Sequence, residues 1–326
     1  MCAFGIIGLI AVVVAGCAPP PSDPGSPPTT LEPLPDPPGE FSVLSYNVAG
    51  LPLEVSKARP DIHLPMISPL LNAYDVVATQ EDFDWWQPVV SGLDFVNYHT
   101  RLRADATHPY RTDRHPGPVA VGIDPSARPL VVGDGIGLMA RYPLTNVVAR
   151  AWTGCNGGPL PDGGASDCLA MKGFRVATMT LGDGLSVDVY SVHGEAGNTA
   201  VDQQLQALDF VELATFINDH SDGRAVIVAG DTNLHTDLVH PDGGNGLDIA
   251  IWQEFLASTG LTDSCTALEC ADPGGIDKIA FRGGGGISLT ALTHDLPTER
   301  FSGPDGEPLS DHPPVVVRFG WDLLDR

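Results

Sequence analysis

Two short apolar runs that border polar clusters most strongly limit what this chain can fold into. Residues 225–229 (AVIVA) come directly before Gly230-Asp231-Thr232-Asn233, and residues 315–317 (VVV) follow shortly after Ser310-Asp311-His312. Short uninterrupted apolar runs are typical of buried strands. Each polar cluster is therefore expected beside the end of a core strand, where a rigid scaffold can hold reactive groups. Carboxylate, amide and imidazole groups held together suit metal-assisted attack on phosphorus.

The rest of the sequence alternates strand and helix patterns and favours a layered α/β sandwich. Several predicted strands are joined by short Gly-rich turns rather than helices, so a plain βαβ repeat fits less well. The longest helix is predicted over residues 200–220, and its candidate core positions are Leu205, Leu208, Val211, Leu213 and Phe216. Further helices are predicted at residues 67–72 and 247–258, and strands at 43–46, 75–78, 135–139, 176–181, 186–192, 225–229, 276–281 and 314–319.

The N-terminus has the pattern of an export signal followed by a tether. Residues 4–14 are apolar but too few to span a membrane, and their number suits the apolar region of a signal peptide. Ala15-Gly16-Cys17 resembles a bacterial lipobox, which implies cleavage before Cys17 and lipidation of its sulfur. No Lys or Arg precedes the apolar run, so an ordinary signal sequence is the alternative. We expect a signal peptide at residues 1–16, a Pro-rich disordered tether at 17–40, and an exported lipoprotein held at the cell envelope or secreted.

Four cysteines outside the leader fall into two close pairs, Cys155/Cys168 and Cys265/Cys270. An even number of cysteines in an exported chain predicts two disulfides that close short loops. A zinc site with four thiolates is the alternative. The chain has no Cys-X-X-Cys spacing among these residues, which disfavours zinc.

The charge of the chain bears on its partners. The formal net charge is −24, from 41 acidic and 17 basic residues. Such a surface repels polyanions unless a basic patch or a metal intervenes, so long nucleic acids are disfavoured as substrates without being excluded. The one notable basic cluster consists of Arg101, Arg103, Arg111 and Arg114, which could steer any phosphate.

Polar residues stand at the ends of successive predicted strands, and their order carries a family resemblance. A single Asn after a strand is more often a turn former than a catalyst, and a single Glu there is usually a surface charge. The ordered set resembles the endonuclease/exonuclease/phosphatase superfamily, the DNase I-like metal-dependent phosphoesterases, and the resemblance supports a domain over residues 41–322. It rests on Ser45-Tyr46-Asn47, Gln80-Glu81, Ser191-Val192-His193, Gly230-Asp231-Thr232-Asn233, Ile276-Asp277 and Ser310-Asp311-His312. A shorter segment, Lys172-Gly173-Phe174, is similar to a region of bacterial neutral sphingomyelinases.

The resemblance implies a four-layer α/β/β/α sandwich, in which two packed mixed β-sheets are flanked by helices. It also implies a Mg²⁺ site, with Mn²⁺ or another divalent cation as the alternative. The implied metal-site residues are Asn47, Glu81 and Asp311, of which the Glu81 carboxylate is the main ligand.

The resemblance further implies five catalytic residues. Asp231 would orient or deprotonate the attacking water, and Asn233 would hold a phosphate oxygen. His312 would contact the scissile phosphate, with Asp277 fixing its tautomer and raising its pKa. His193 would protonate the leaving oxygen.

Together these features predict an exported, monomeric, metal-dependent phosphodiesterase that acts on a phospholipid head group, as sphingomyelinases do. A nuclease that cleaves DNA or RNA is the second hypothesis, and a phosphomonoesterase acting on inositol phosphates is the third. A hypothesis of another class is a non-catalytic, cell-surface binding lipoprotein on the same fold. The chain departs from sphingomyelinases at Gly194-Glu195-Ala196-Gly197. Its sequence also shows no long aromatic β-hairpin of the kind that inserts into membranes. Trp85-Trp86 is its only adjacent aromatic pair, and packing of a helix is favoured over membrane insertion as its role.

Overall fold

The computed structural model describes residues 37–51, 58–84, 97–113, 133–157, 167–182, 184–238 and 246–324. The predicted signal peptide, Cys17, nearly all of the predicted tether, Trp85-Trp86 and Arg114 lie outside these ranges. Within them, no helix combines the length and the apolar character needed to cross a membrane.

The described ranges contain twelve strands and five α-helices. The strands are β1 (Gly39–Asn47), β2 (Val76–Gln80), β3 (Tyr110–Arg111), β4 (Gly137–Ala140), β5 (Leu144–Ala151), β6 (Gly173–Gly182), β7 (Leu185–His193), β8 (Ala225–Asp231), β9 (Thr262–Asp263), β10 (Asp277–Arg282), β11 (Ile287–Asp295) and β12 (Val315–Leu323). The helices are α1 (Pro60–Leu70), α2 (Tyr98–Leu102), α3 (Ala200–His220), α4 (Leu247–Thr259) and α5 (Ser264–Leu268).

The strands form two six-stranded sheets. The first has the order β11-β12-β1-β2-β4-β3, and the second has the order β5-β6-β7-β8-β10-β9. Both sheets are mixed, because β1 runs parallel to β2 and β7 runs parallel to β8, whereas their other pairs are antiparallel. The carboxyl ends of parallel neighbours lie at the same edge of a sheet, so these two pairs decide which strand ends meet.

Each core strand is buried on both faces, and successive side chains separate into different layers. Val43 of β1 and Ile227 of β8 belong to the apolar cluster between the two sheets. Leu44 packs in an outer cluster with Leu64 of α1. Val226 and Val228 pack in the other outer cluster, whose helical members include Phe210, Leu213, Trp252 and Phe255 of α3 and α4. This arrangement confirms the predicted four-layer α/β/β/α sandwich.

Helix α3 has the predicted ends, but its buried face was predicted only in part. Leu213 is buried as expected, whereas Leu208 and Val211 are 55% and 57% exposed. The buried face instead includes Gln206, whose side-chain amide donates to the carbonyl of Glu195 at 3.0 Å. The buried face includes polar residues that donate to loop carbonyls, so it differs from the face that apolar spacing alone predicts.

Two long strands, β5 and β11, were not predicted. Strand β5 lies at a sheet edge, and most of its side chains are exposed or half-buried, so it lacks an apolar run. Strand β11 alternates buried Ile287, Leu289 and Ala291 with more exposed residues, a pattern that could have identified it. Both predicted disulfides, Cys155–Cys168 and Cys265–Cys270, are present.

Candidate active site

The strand register brings the predicted polar residues to adjacent positions. Asn47 ends β1 opposite Gln80 of β2, so Glu81 comes directly after that pair. His193 and Asp231 end β7 and β8 as register partners, and Asp231 is also paired with Asp277 at the start of β10. Hydrogen bonding in the two sheets therefore places the five predicted site residues of this paragraph at neighbouring strand ends: Asn47, Glu81, His193, Asp231 and Asp277.

Asn47 connects the strand ends of the two sheets. Its side chain is fully buried. The amide nitrogen lies 3.1 Å from Glu81 Oε1, 3.0 Å from Asp231 Oδ2 and 3.3 Å from His312 Nε2. The amide oxygen accepts the backbone N–H of Ala49 at 3.0 Å, which orients the nitrogen toward the carboxylates. One buried amide nitrogen thus lies close to three other predicted site residues.

Glu81, His193 and Asp231 form a compact group of metal-ligand type. His193 Nε2 lies 3.5 Å from Asp231 Oδ2 and 3.8 Å from Glu81 Oε1. One ligand atom from each residue lies within 4.8 Å of the others. The carboxylate oxygens suit a hard divalent cation such as Mg²⁺, and their mutual repulsion is a further reason for a cation to bind there. The donor set therefore fits the predicted metal.

Burial controls the protonation of this group. Burial, with the nearby charges of Lys172 and His312, lowers the pKa of His193 well below its usual value, so its imidazole is neutral. Burial also raises the pKa of Glu81, although the charge of Lys172 and the hydrogen bond from Asn47 act in the opposite direction. A neutral imidazole can accept a hydrogen bond or bind a cation through Nε2.

The backbone at two site residues adopts a conformation that non-glycine residues rarely use. Glu81 has a φ of 59° and Asn233 a φ of 53°. Each residue follows the end of a core strand, and the left-handed backbone turns the chain sharply there. Such conformations are costly and persist where the surrounding structure enforces them, which is common at functional sites.

Asp277 and His312 form a hydrogen-bonded pair beside Asp231. His312 Nδ1 lies 2.8 Å from Asp277 Oδ2, and His312 Nε2 lies 3.8 Å from Asp231 Oδ2. Burial lowers the pKa of His312, but the carboxylates of Asp277 and Asp231 outweigh this effect and raise it to about 10. His312 is therefore an imidazolium at neutral pH, and its Nε2 side faces the other site residues.

The structure places Asn233 and Asp311 at the margin of the site. The backbone N–H of Asn233 donates to Asp231 Oδ1 at 3.0 Å, and its side-chain amide donates to the carbonyl of Gly194 at 3.2 Å. Asp311 is exposed, and neither metal-ligand group formed by Asp231 in the described part of the chain includes it. It lies instead on the wall of a cavity beside Asp277 and His312.

Lys172 contributes to the site although sequence reasoning gave it no role. Its side chain is buried, pairs with Asp167 and donates to the carbonyl of Gly194 at 3.2 Å. Gly194 is the same acceptor that holds Asn233. A lysine that ends the largely apolar stretch Cys168–Met171 just before a strand was the available indication of a buried cation.

A cavity of about 360 Å³ opens beside His312 and Asp277. Its wall is rich in titratable residues: His235, Asp237, Asp272, Asp277, His294, Asp311 and His312. The carboxylates of Asp237, Asp272 and Asp311 give this wall an acidic character next to the imidazolium of His312.

Two described members of the predicted basic cluster, Arg103 and Arg111, make structural contacts. Arg103 is buried and pairs with Asp82. Arg111 donates through its guanidinium to the carbonyls of Arg103, Ala106 and His108. Both side chains therefore hold the polypeptide together, although Arg111 is also exposed, and phosphate steering by this cluster stays a prediction.

Comparison with known proteins agrees with this fold. No protein-family model matches the chain. A sphingomyelinase of Mycobacterium tuberculosis (strain ATCC 25618 / H37Rv) is 30% identical over 297 residues, which cover 86% of this chain. The chain spans about half of that relative, 53% of its length.

Two solved structures share the architecture. Sphingomyelinase C from Streptomyces griseocarneus has a TM-score of 0.56 at 17% identity, over 86% of this chain and 99% of that one. A mutant of beta toxin from Staphylococcus aureus with bound magnesium ions has a TM-score of 0.55 at 15% identity, over 86% and 99% of the two chains. The two stacked mixed sheets and these structural similarities show that the chain has the DNase I-like α/β/β/α sandwich fold.

Proposed function

We propose that the protein is a metal-dependent phosphodiesterase that hydrolyses the head group of a phospholipid. The observation that carries this proposal is the convergence of Glu81, Asp231 and His312 around the single amide of Asn47, at 3.0–3.3 Å. A non-catalytic binding protein has no need for a buried carboxylate beside a charged Asp277–His312 pair, because burying unused charge is costly. The similarity to curated sphingomyelinases supports the same reaction class.

The metal would be held by the carboxylates of Glu81 and Asp231, whose positions the amide nitrogen of Asn47 fixes. When bound, a divalent cation supplies positive charge that polarises a phosphate oxygen. The polypeptide itself supplies the remaining groups, and their roles follow from their protonation and position.

Asp231 orients the attacking water and accepts its proton. The charged His312, held by Asp277, stabilises the negative charge that develops on the phosphate oxygens during attack. Asn233, fixed by the carbonyl of Gly194, positions the phosphate. His193 is neutral in this environment, so the proposed transfer of a proton to the leaving oxygen requires that it first gain one from solvent.

The cavity favours a cationic head group over a polyanion. A zwitterionic phospholipid head group can place its phosphate at His312 and its ammonium group near Asp237, Asp272 and Asp311. A nucleic acid would bring further phosphates against the same carboxylates. Arg103 pairs with Asp82 and Arg111 donates to backbone carbonyls, so these two arginines offer a nucleic acid little compensation.

The test is hydrolysis of bis(p-nitrophenyl) phosphate by the purified protein, with Mg²⁺ and after its removal by chelation. We expect turnover only with Mg²⁺, and a fall in kcat of about 10²- to 10⁴-fold in His312→Ala and Asp231→Asn. His63→Ala, on α1, is the matched control and should retain full turnover. Equal turnover in wild type and both site variants would sink the proposal.

Substrate class is tested separately. Vesicles of sphingomyelin or phosphatidylcholine, plasmid DNA and inositol phosphates are offered to the same enzyme, and release of phosphate products is measured. Preferred hydrolysis of a choline lipid supports the proposal, and preferred cleavage of DNA identifies a nuclease instead. No turnover of any substrate, including the generic diester, would favour the binding lipoprotein.

We also propose that the protein is exported and anchored at the cell envelope through Cys17. The apolar leader, Ala15-Gly16-Cys17 and the Pro-rich segment support this location. In a bacterial host, Cys17→Ser is expected to move the protein from the membrane fraction to the soluble fraction. An unchanged distribution would contradict anchoring by lipid.

A further inference from the structure

A second group of metal-ligand type lies outside the candidate active site. Cys265, Cys270 and His294 each offer one ligand atom, and these atoms all lie within 4.8 Å of one another. In this structure the two sulfurs form a disulfide. We propose that, once this disulfide is reduced, the two thiolates and the His294 imidazole bind a soft divalent cation such as Zn²⁺. The proposal does not depend on the proposed phosphodiesterase activity.

The local backbone holds the two cysteines together independently of the sulfur–sulfur bond. Cys265 lies in the single-turn helix α5 and Cys270 follows its end, with their Cα atoms 4.7 Å apart. The Cys270 N–H donates to the carbonyl of Cys265 at 3.1 Å. At the start of the helix, Asp263 Oδ1 accepts the N–H of Thr266 at 2.8 Å. These bonds are expected to keep the thiols close after reduction.

Side-chain contacts also anchor this turn to the neighbouring sheet. Ser264 is buried, and its hydroxyl donates to the carbonyl of Ile279 in β10 at 2.6 Å. Asp263 accepts a further hydrogen bond from the indole of Trp252 at 2.8 Å. The position of Cys265 relative to the sheet is therefore set by groups that reduction leaves unchanged.

His294 supplies the third ligand from a different element, strand β11. Its Nδ1 is buried and has no hydrogen-bond partner among the described residues. An unsatisfied buried ring nitrogen is costly, and a metal bond satisfies it. One ring nitrogen of His294 lies within 4.8 Å of the sulfurs of Cys265 and Cys270.

The donor set favours zinc over magnesium. Thiolate and imidazole are the ligands that Zn²⁺ takes in proteins, whereas Mg²⁺ prefers oxygen. Three protein ligands leave one position of a tetrahedral site for water or another group. His294 also lines the cavity beside His312, as does Asp272, whose carbonyl lies 3.8 Å from Cys265 Sγ. An ion bound here would lie at the wall of the proposed substrate cavity.

A phosphine or a dithiol can reduce the Cys265–Cys270 disulfide. A phosphine and one water convert the disulfide into two thiols and a phosphine oxide, so the phosphine is oxidised and the sulfurs are reduced. Binding of the cation then releases two thiol protons, because the ligands are thiolates. Re-oxidation would expel the ion.

The experiment uses the full chain with saturating Mg²⁺, before and after reduction by a phosphine. Co²⁺ is added as a probe, since thiolate ligation gives a sulfur-to-cobalt charge-transfer band that carboxylate sites lack. Zn²⁺ is then titrated to displace the Co²⁺. We expect the band only in the reduced protein, and Zn²⁺ to abolish it at one equivalent. His294→Ala removes one ligand and should weaken Co²⁺ binding by about 10-fold or more. Loss of a residue that only supports a ligand already weakens metal binding by about that much.

Two cysteine variants separate this site from the other thiols. Cys265→Ser with Cys270→Ser should lose the band, whereas Cys155→Ser with Cys168→Ser should keep it. The proposal is overturned by a band that persists in the first variant, by one that appears without reduction, or by an affinity that His294→Ala leaves unchanged. Circular dichroism of each variant confirms that a loss of binding is not a loss of fold.

Discussion

At the scale of single residues, buried charges are paired, and the pairing has different consequences inside and outside the site. Asp82 follows Glu81 directly, but it is completely buried and pairs with Arg103 and with His99, whose Nδ1 is 3.2 Å away. Burial raises the pKa of Asp82, but Arg103 and His99 outweigh burial and hold that pKa well below its usual range. One carboxylate thus serves the site, and its neighbour in sequence serves stability.

Asp82→Asn is therefore expected to destabilise the fold in a pH-dependent way. Removing one partner of a buried ion pair costs about 3–5 kcal/mol. Because the folded-state pKa is lowered, the charge contributes fully above the unfolded-state value of about 3.9, and its contribution is lost as the pH falls below it. Urea denaturation across this range should show the wild-type advantage shrinking at acidic pH.

The exposed Asp61 on α1 provides the comparison. Asp61→Asn should change the free energy of unfolding by about 0.5 kcal/mol or less at every pH. A loss in Asp82→Asn that is equally small, or that grows toward acidic pH, would contradict the assigned role of the Asp82 carboxylate.

At the scale of elements, helix α3 shows how the core face is chosen. Its N-terminus is capped by Thr199, whose side chain accepts the N–H of Asp202 while Asp202 accepts the N–H of Thr199. This capping box begins the helix at Ala200, as predicted. The packing of Phe210 against Trp252 and Phe255 of α4 then decides which side faces inward.

Substitutions on the two faces of α3 should differ sharply. Phe210→Ala removes a buried ring and is expected to cost about 3–5 kcal/mol of unfolding free energy. Leu208→Ala, two residues earlier and more than half exposed, is expected to cost about 0.5 kcal/mol or less. Chemical denaturation of the pair measures both, and a large loss in Leu208→Ala would contradict the observed orientation of the helix.

The Cys155–Cys168 disulfide connects an element to the site. It closes a loop of 13 positions and holds Asp167, which pairs with Lys172 and accepts the N–H of Ala196 at 3.0 Å. Cys155→Ser with Cys168→Ser should lower the unfolding free energy by about 3 kcal/mol. It should also lower kcat, because Lys172 and Gly194 are then less firmly held. If kcat is unchanged at a temperature where the variant is folded, the disulfide loop does not support the position of Lys172 and Gly194.

At the scale of the whole molecule, the site joins the two sheets, so a bound cation should stabilise the entire fold. A ligand that binds only the native state adds about 2.7 kcal/mol at a concentration 100 times its Kd. Mg²⁺ is expected to raise Tm in wild type and in Glu299→Gln, an exposed control, but not in Glu81→Gln. Differential scanning calorimetry measures the shift, and a full shift in Glu81→Gln would exclude that carboxylate as the main ligand.

Much of this architecture was predictable because it depends on local patterns. The apolar run at residues 225–229 predicted β8, and the alternation of strand and helix patterns predicted a layered sandwich. The ordered polar groups at strand ends indicated, through a family resemblance, the residues that now converge on Asn47. The edge strand β5 escaped prediction because an edge strand needs no continuous apolar run. The roles of the site residues, among them metal binding by Asp311 and proton transfer by His193, stay predictions.

The sequence by itself indicated most of the core strands and the disulfide partners, because each depends on residues close together in the chain. The ordered polar groups indicated the reactive residues through a family resemblance. Only the tertiary structure decided which ionisable side chains lie close enough to shift one another's pKa. Asn47 and His312 are 265 positions apart, yet their side chains lie 3.3 Å from each other. That contact, the raised pKa of His312 and the burial of Lys172 arise from the stacking of two sheets, which no local pattern of residues encodes.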